Sequence, residues 1–245
     1  MKRLKMIRTL ILLVCVATMA QAQNDKGTFS IKPMAGVNVS TFSGGIVSDL
    51  YHTKAGFTAG MEAEYGINNW LGLSLGLIYS QQGAKVDGSV SGIVTEEKGN
   101  RYLTKVQYDG KIQADYLNLP LMANFYIPVI HGLALKTGIQ MGILVNDRMN
   151  AETTVLVAKI QEDINGYWNL SESDNFPRVT KTNVSLSDIC KSIDFGIPIG
   201  LSYEYKNVTL DARYYFGLTK LDKTEDPENT RNRCLSITLG YRFHL

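Results

Sequence analysis

The chain has 245 residues, of which 44% are hydrophobic and 20% are charged, and its formal net charge is +2. Four of the 25 Lys and Arg residues lie within the first 22 positions, which hold no acidic residue, so the remainder carries 21 basic and 23 acidic residues. Near-neutrality without a basic stripe or an RNA-binding motif argues against a nucleic-acid partner. The length fits one domain.

The N-terminus has the three regions of a secretory signal peptide. They are a basic segment, an apolar segment and an Ala-x-Ala cleavage site: Lys2, Arg3, Lys5 and Arg8, then 10–17, then Ala20-Gln21-Ala22. The apolar segment is too short to cross a bilayer as a helix. We predict cleavage after Ala22, which leaves residues 23–245 as one domain. Beyond this segment the sequence has no apolar run of about 18 residues, so no transmembrane helix is expected.

Eight later segments alternate apolar and polar side chains with the period of two that is typical of β-strands. In the last of them, Leu235, Ile237 and Leu239 alternate with polar or small residues. A tilted strand needs roughly 9–11 residues to cross the hydrocarbon, whereas strands of soluble proteins usually have about five or six. The predicted strands are longer than that, at about 28–40, 54–66, 70–82, 113–126, 133–146, 192–205, 208–220 and 235–245.

The connections between these strands alternate in length. Those at 67–70, 128–132 and 206–207 are short, and the others are long, at about 41–53, 83–112, 147–191 and 221–231. Outer-membrane barrels have short periplasmic turns and longer extracellular loops. The sequence therefore predicts an all-β fold, an eight-stranded antiparallel up-and-down transmembrane β-barrel. The last strand closes it against the first and seventh, and both termini are periplasmic.

The polar face of the predicted strands carries a balanced set of charges. An eight-stranded barrel has an interior just wide enough for its own side chains. If the apolar face points outward, the lumen is charge-lined and plugged rather than open. The predicted lumen polar cluster has five basic and five acidic members: Lys32, Lys54, Glu62, Glu64, Lys136, Asp194, Glu204, Asp211, Arg213 and Arg242.

The same alternation also fits a secreted, soluble lipocalin-like barrel with the opposite orientation, in which apolar residues line a ligand cavity. Periodicity alone does not distinguish the two orientations. Strand length, the alternation of short and long connections, and aromatic residues near strand ends favour the membrane barrel.

Five motifs resemble those of the PorT-like outer-membrane barrel proteins. They are Y-L-N-L-P-L-M-A-N-F at 116–125, the segments 32–40, 194–205 and 213–218, and the C-terminal strand. The resemblance implies an outer-membrane β-barrel in a family most of whose members have no defined function. We predict a structural or interaction role in the cell envelope. A role as an accessory component of a secretion or transport assembly is the alternative, because the founding member of that family takes part in secretion. His244 and Leu245 depart from the family ending on Phe, which bears on recognition by the barrel-insertion machinery.

We expect no catalytic activity, no cofactor and no metal site. His52, His131 and His244 do not lie within a catalytic motif, and loop carboxylates such as Glu96 and Glu97 are typical of solvated charge. The expected contacts are outer-membrane lipid, the barrel-insertion machinery and an envelope protein partner. The partner is expected at the loop 147–191, which contains Tyr167, Trp168 and Phe176.

Two cysteines remain after signal cleavage, Cys190 and Cys234. Both are predicted at extracellular strand ends, in a compartment where disulfides persist. A bridge requires Cα atoms within about 7 Å, so the loop before Cys190 would have to fold across the seventh strand. We hypothesise a disulfide between them.

Overall fold

The computed structural model describes residues 26–44, 50–97, 100–162, 168–172, 178–185, 190–221, 223 and 230–245. These described residues form twelve strands in chain order: β1 Phe29–Ser43, β2 Tyr51–His52, β3 Lys54–Asn68, β4 Leu71–Glu97, β5 Asn100–Tyr126, β6 Leu133–Glu162, β7 Trp168–Glu172, β8 Arg178–Val184, β9 Ile193–Tyr205, β10 Val208–Gly217, β11 Arg231–Tyr241 and β12 Phe243–His244. The described part of the chain contains no helix with the length and apolarity that a bilayer crossing requires. The predicted signal peptide lies outside the described residues.

Eight of the strands close into a ring. Their order is β1, β3, β4, β5, β6, β9, β10 and β11, and β11 returns to β1. All neighbours in the ring are antiparallel, and the closing seam runs from the pair Met34 and Gly240 to the pair Ser43 and Arg231. The predicted eight-stranded antiparallel barrel is confirmed. The C-terminal strand closes it against β1 and β10, as the sequence predicted.

The two ends of the barrel differ. The turn end holds the three tight connections, after β3, β5 and β9, together with both ends of the described chain; the opposite end is the hairpin end. Lys206 and Asn207 both have positive φ, 47° and 69°, which is the conformation of two-residue hairpin turns that match the strand twist. At the first turn, the side-chain oxygen of Asn68 accepts hydrogen bonds from the backbone N–H groups of Trp70 and Leu71.

The apolar face of each ring strand points outward. On β4, Leu73, Leu75 and Leu77 are between 42% and 58% exposed, while Ser74 between them is buried. The same division holds on β9, where Phe195 is exposed and the neighbouring Asp194 is buried. Such a surface needs an apolar solvent, because monomeric soluble proteins rarely expose a continuous apolar band. A lipocalin-like barrel requires the opposite orientation, so this alternative is wrong.

The structure corrects two predicted loops. Most of the segments 83–112 and 147–191 is strand, because β4, β5 and β6 run on past the ring. β3 pairs with β4 only as far as Ser80, and β9 pairs with β6 only as far as Ile143. Toward the hairpin end, beyond these points, β5 pairs with β4 on one side and with β6 on the other, and β7 and β8 pair with β6. We call residues 83–113 and 147–184, as far as they are described, the protruding sheet.

The composition of the segment 83–112 explains why it was predicted as a loop. The segment 83–112 holds five Gly and four Lys residues, residue types that are depleted in strands. Pairing with a neighbouring strand satisfies the backbone whatever the side chains are. At about 3.3 Å per residue, residues 83–97 alone extend roughly 50 Å along the strand.

Smaller differences occur at the ends of the last ring strands. β10 ends at Gly217 rather than at 220, and the side-chain oxygen of Thr219 accepts a hydrogen bond from the backbone N–H of Phe195. The final strand starts at Arg231 and is interrupted at Arg242. There the backbone N–H of Arg242 donates to the carbonyl oxygen of Asn207 at 2.7 Å, which ties the C-terminus to the last turn.

The lipid-facing assignment is testable with two substitutions on β4. We expect Leu75→Arg to lower the free energy of unfolding by about 2–4 kcal/mol, the cost of a charge near the middle of the bilayer. Val90→Arg is the matched control: Val90 is 51% exposed but lies in the protruding sheet, so a change within about 0.5 kcal/mol is expected. Denaturant titration in phospholipid vesicles measures both, and equal losses would contradict the assignment.

Candidate functional site

A central cluster of five charged side chains fills the middle of the lumen. Its members are Lys32 from β1, Glu62 from β3, Lys136 from β6, and Asp211 and Arg213 from β10, and each is at most 8% exposed. Glu62 Oε2 accepts from Lys32 Nζ at 2.9 Å and from Lys136 Nζ at 3.1 Å. Asp211 Oδ2 lies 3.0 Å from Lys136 Nζ and 3.4 Å from Lys32 Nζ. The two carboxylates and two lysines therefore form a closed ring of ion pairs.

Arg213 joins the two carboxylates of this cluster. Its Nε and Nη2 donate to the two oxygens of Asp211 at 2.6 and 2.9 Å, which is the bidentate geometry that suits a guanidinium and a carboxylate. Its Nη1 contacts Glu62 Oε1. Because the partners come from four strands distributed around the ring, the cluster crosses the whole width of the lumen.

A second group, the turn-end cluster, lies on the turn side of the first. Arg242 contacts Glu64 Oε2 at 2.9 Å and Glu204 Oε2 at 2.6 Å. Glu64 also accepts a hydrogen bond from the phenol of Tyr126, and Ser30 Oγ accepts one from Arg242 Nη1. The side chains of Arg242, Glu64 and Glu204 are each at most 10% exposed.

The two clusters compensate each other in charge. The central cluster has three cations and two carboxylates, and the turn-end cluster has one cation and two carboxylates. Together they hold four charges of each sign. Burying a charge costs less when it is paired with an opposite charge, and each of these eight side chains has a partner of opposite sign in the lumen.

Two members of the predicted lumen polar cluster lie apart from these groups. Lys54 is buried and donates from Nζ to the carbonyl oxygen of Gln82 at 2.7 Å. Asp194 is buried and accepts a hydrogen bond from the side-chain amide of Asn232 at 2.8 Å. The structure thus brings together eight of the ten predicted residues: Lys32, Glu62, Glu64, Lys136, Glu204, Asp211, Arg213 and Arg242.

The sequence reasoning considered only charged residues and missed the neutral polar ones. Asn38 donates to Ser80 Oγ at 2.8 Å, and Asn124 donates to Ser74 Oγ at 3.1 Å, all within the lumen. The signal that would have found them is strand parity, since each occupies a position on the face opposite to the apolar one. Further buried polar residues of this kind are Gln82, Asn118, Gln140, Asn232 and Thr238.

The two cysteines are unbridged, and two of the histidines lie at opposite ends of the barrel. No disulfide joins Cys190 and Cys234; Cys234 is buried in β11 with its sulfur 3.6 Å from Ser236 Oγ. His52 lies at the hairpin end, 3.3 Å from Asp87, whereas His244 lies at the turn end, 3.8 Å from Glu204. Within the described ranges, no group of three or more His, Cys, Asp or Glu side chains is arranged to hold a metal ion. Tyr167 and Phe176 lie outside the described residues.

The protruding sheet has two different faces. Alternation from the lumen-facing side of the barrel places Val86, Val90 and Tyr108 on one face, and Val90 and Tyr108 are about half exposed. The other face is charged. There the register sets Asp87 directly opposite Asp109, although like charges in such pairs repel. The sheet therefore presents an apolar strip and a solvated charged face beyond the barrel.

A ring of strands with an apolar outer surface and paired charges inside is a transmembrane β-barrel. The outer membrane protein beta-barrel domain family matches residues 20–223, and the chain belongs to this family. A search of curated proteins found no match.

Several solved structures are similar to the chain. Ail, the attachment invasion locus protein of Yersinia pestis, is 16% identical over 89% of this chain and 99% of its own, with a TM-score of 0.40. Neisserial surface protein A is 16% identical over 88% and 97%, with a TM-score of 0.37. CarO of Acinetobacter baumannii is 12% identical over 85% and 97%, with a TM-score of 0.32.

The central cluster predicts a large difference between two carboxylate-to-amide substitutions. Asp211→Asn removes one partner of a buried network, for which a loss of about 3–5 kcal/mol in unfolding free energy is expected. The matched control is Glu152→Gln, because Glu152 pairs with Lys181 at 3.2 Å on the exposed face of the protruding sheet, where such pairs contribute about 0–1 kcal/mol. Denaturant titration in vesicles measures both. Similar losses in the two variants would contradict the structural role of the central cluster.

Proposed function

We propose that this protein is an interaction protein of the outer membrane, in which a closed barrel anchors the protruding sheet outside the bilayer. The observation that carries the proposal is the closure of the lumen by eight paired charges from strands around the ring. A barrel that holds such a plug has little room for solute passage. Its exposed surface is then the part available for a specific role.

The charges of the plug compensate one another. Every charged side chain in it has a partner of opposite sign, so neither cations nor anions meet an uncompensated field in the lumen. A selective pore uses the reverse arrangement, with rings of one sign of charge lining the pathway. Rigid pairing of this kind suits an anchor.

Partner contact is proposed at the protruding sheet. It includes the described part of 147–191, the segment for which the sequence predicted an envelope protein partner. The apolar strip of Val86, Val90 and Tyr108 supports this choice, because exposed apolar side chains bordered by polar ones are typical of protein contacts. The charged face of the sheet favours partners that complement it.

The proposal also includes the export of the protein and its orientation in the membrane. Cleavage after Ala22, delivery to the barrel-insertion machinery and periplasmic termini follow from the signal sequence and the connection pattern. Both termini of the described chain lie at the turn end, which supports a periplasmic turn end and an extracellular protruding sheet. The five PorT-like motifs support a place in that group and a role beside a secretion assembly. Outer-membrane lipid covers the apolar band, and no nucleic-acid partner is proposed.

A closed lumen has a direct electrical consequence. The purified protein in a planar lipid bilayer is expected to give no stepwise currents in either polarity, because the two clusters fill the pathway across the lumen. A large open porin inserted under the same conditions is the positive control. Reproducible single-channel steps from the protein would contradict the anchor role and support a selective channel.

The partner role is testable by shortening one hairpin. Gly88 and Tyr108 face each other on β4 and β5, so residues 89–107 can be replaced by Asn-Gly, which favours a two-residue turn. We expect the variant to keep heat-modifiable migration, because the ring is intact, and to lose photo-crosslinks to envelope proteins formed from position 155 of β6. The matched probe at position 75, on the lipid-facing band, serves as the control. Unchanged crosslinking in the shortened variant would contradict the proposal.

A further inference from the structure

Two arginines of β11 lie on its outward face, where the lipid-facing band of this strand ends. The last residue of the band toward the hairpin end is Leu235, which is 40% exposed. The next two outward positions are Arg233 and Arg231, because Cys234 and Asn232 between them are buried. The two arginines therefore continue the lipid-facing surface with positive charge.

The length of β11 sets the depth of these arginines in the membrane. The strand has 11 residues from Arg231 to Tyr241, and Tyr241 is an exposed aromatic residue at the turn end. Aromatic residues mark the two interfaces of a membrane barrel, and a tilted strand crosses the hydrocarbon in roughly 9–11 residues. Arg231 and Arg233 therefore lie where β11 leaves the hydrocarbon on the hairpin side, at the level of the lipid headgroups.

Neither arginine has an anionic partner in the described part of the chain. No carboxylate there lies within ion-pair distance of Arg231 or Arg233, and Arg231 Nε is buried without a hydrogen-bond acceptor. Arg233 Nη1 donates to the carbonyl oxygens of Gly217 and Asn232 at 2.9 and 3.0 Å. The guanidinium carbon of Arg233 also lies 5.8 Å from the ring centre of Phe216. These contacts orient the guanidinium group but leave its charge without a counter-ion.

The neighbouring strand β1 adds two hydroxyl groups beside the arginines. Thr41 lies directly opposite Arg233, and Ser43 lies directly opposite Arg231. Residues paired in this way share one face of the sheet, with Cβ atoms about 4.5–5.5 Å apart. Two guanidinium groups and two hydroxyl groups thus surround one patch on the outer surface of the barrel. All four can donate hydrogen bonds to an anion.

We propose that this patch binds the phosphate group of a lipid headgroup in the leaflet at the hairpin end. Arginine suits phosphate because its planar fork donates two parallel hydrogen bonds. The acyl chains of the lipid lie along Val39, Leu235 and Phe216, which are exposed on the lipid-facing band next to the patch. A lipid matches both the charged and the apolar part of this surface, whereas a free anion matches the charged part alone.

The site is separate from the partner contact proposed for the protruding sheet. The orientation of the barrel decides only which leaflet supplies the lipid. With the hairpin end outside the cell, the ligand is a phosphorylated lipid of the outer leaflet. Loss of either proposal would leave the other standing, because lipid binding and protein crosslinking are measured separately.

Native mass spectrometry of the wild-type protein in detergent micelles tests the inference without any substitution. The probe is lipid A with its phosphates, and the comparison is the same lipid A after phosphatase treatment. We expect the phosphorylated form to bind roughly thirtyfold more tightly, because each of two cations near an anionic lipid surface contributes about fivefold. Equal binding of the two forms would overturn the proposal. Displacement of lipid A by inorganic phosphate at equal concentration would overturn the lipid as the occupant.

Two double variants with the same change in charge locate the site. Arg231→Gln with Arg233→Gln should weaken lipid A binding roughly thirtyfold while heat-modifiable migration is kept. Lys85→Gln with Lys111→Gln is the matched control, because these exposed lysines face each other in the protruding sheet, beyond the headgroups, and its affinity should be unchanged. An equal loss in the two double variants, or no loss in the arginine variant, would overturn the proposal.

Discussion

The closure of the ring at the seam between β1 and β11 is the constraint on which the rest of the structure depends. Inside a bilayer no water is available to pair with backbone N–H and C=O groups, so a sheet can cross only if it has no free edge. The seam pairs β11 with β1 from Gly240 to Arg231 and continues with β12. The outward apolar band and the inward polar face then follow, because each ring strand has one side on each surface.

Closure at eight strands also determines the nature of the interior. A ring of this size leaves a lumen that its own side chains fill, and the polar face supplies charges that need partners. Glu62 and Asp211 meet Lys32, Lys136 and Arg213 there at hydrogen-bonding distance. The same contacts that allow these charges to be buried also fill the middle of the lumen.

Beyond the bilayer a sheet can have free edges, and the closed ring continues as an open sheet. β3 and β9 leave the sheet at the hairpin end, whereas β4, β5 and β6 continue as a sheet whose edges can face water. Water pairs with exposed backbone groups, so closure is no longer required there. The side chains change accordingly, from an apolar outer face to charged residues such as Asp87 and Asp109. The part of the molecule that is free of the membrane is the part with an exposed, chemically mixed surface.

Much of this architecture could be predicted from the sequence, because it depends on local alternation. A period of two specifies which residues share a face, so Glu62 and Arg213 could be predicted on one surface of the sheet and Leu75 on the other. Strand length and the alternation of short and long connections then favoured the apolar surface as the outer one. The number of ring strands and the tight turn at Lys206 and Asn207 could also be predicted from the sequence. The length of β4, β5 and β6 could not be predicted, because their outer parts carry polar side chains that are typical of loops. Pairing with neighbouring strands holds these parts in the strand conformation.

The sequence by itself therefore determined which side chains enter the lumen, and the tertiary structure decided which of them meet. Lys32 and Asp211 are 179 residues apart, and Lys136 and Glu62 are 74 apart. Whether such residues reach one level of the lumen depends on the register of every intervening strand pair and on the tilt that closure imposes. No local pattern contains that information, which is why Lys54 and Asp194 had the right parity yet lie outside the two clusters. Parity is a property of one strand, but a contact across the lumen is a property of the closed ring.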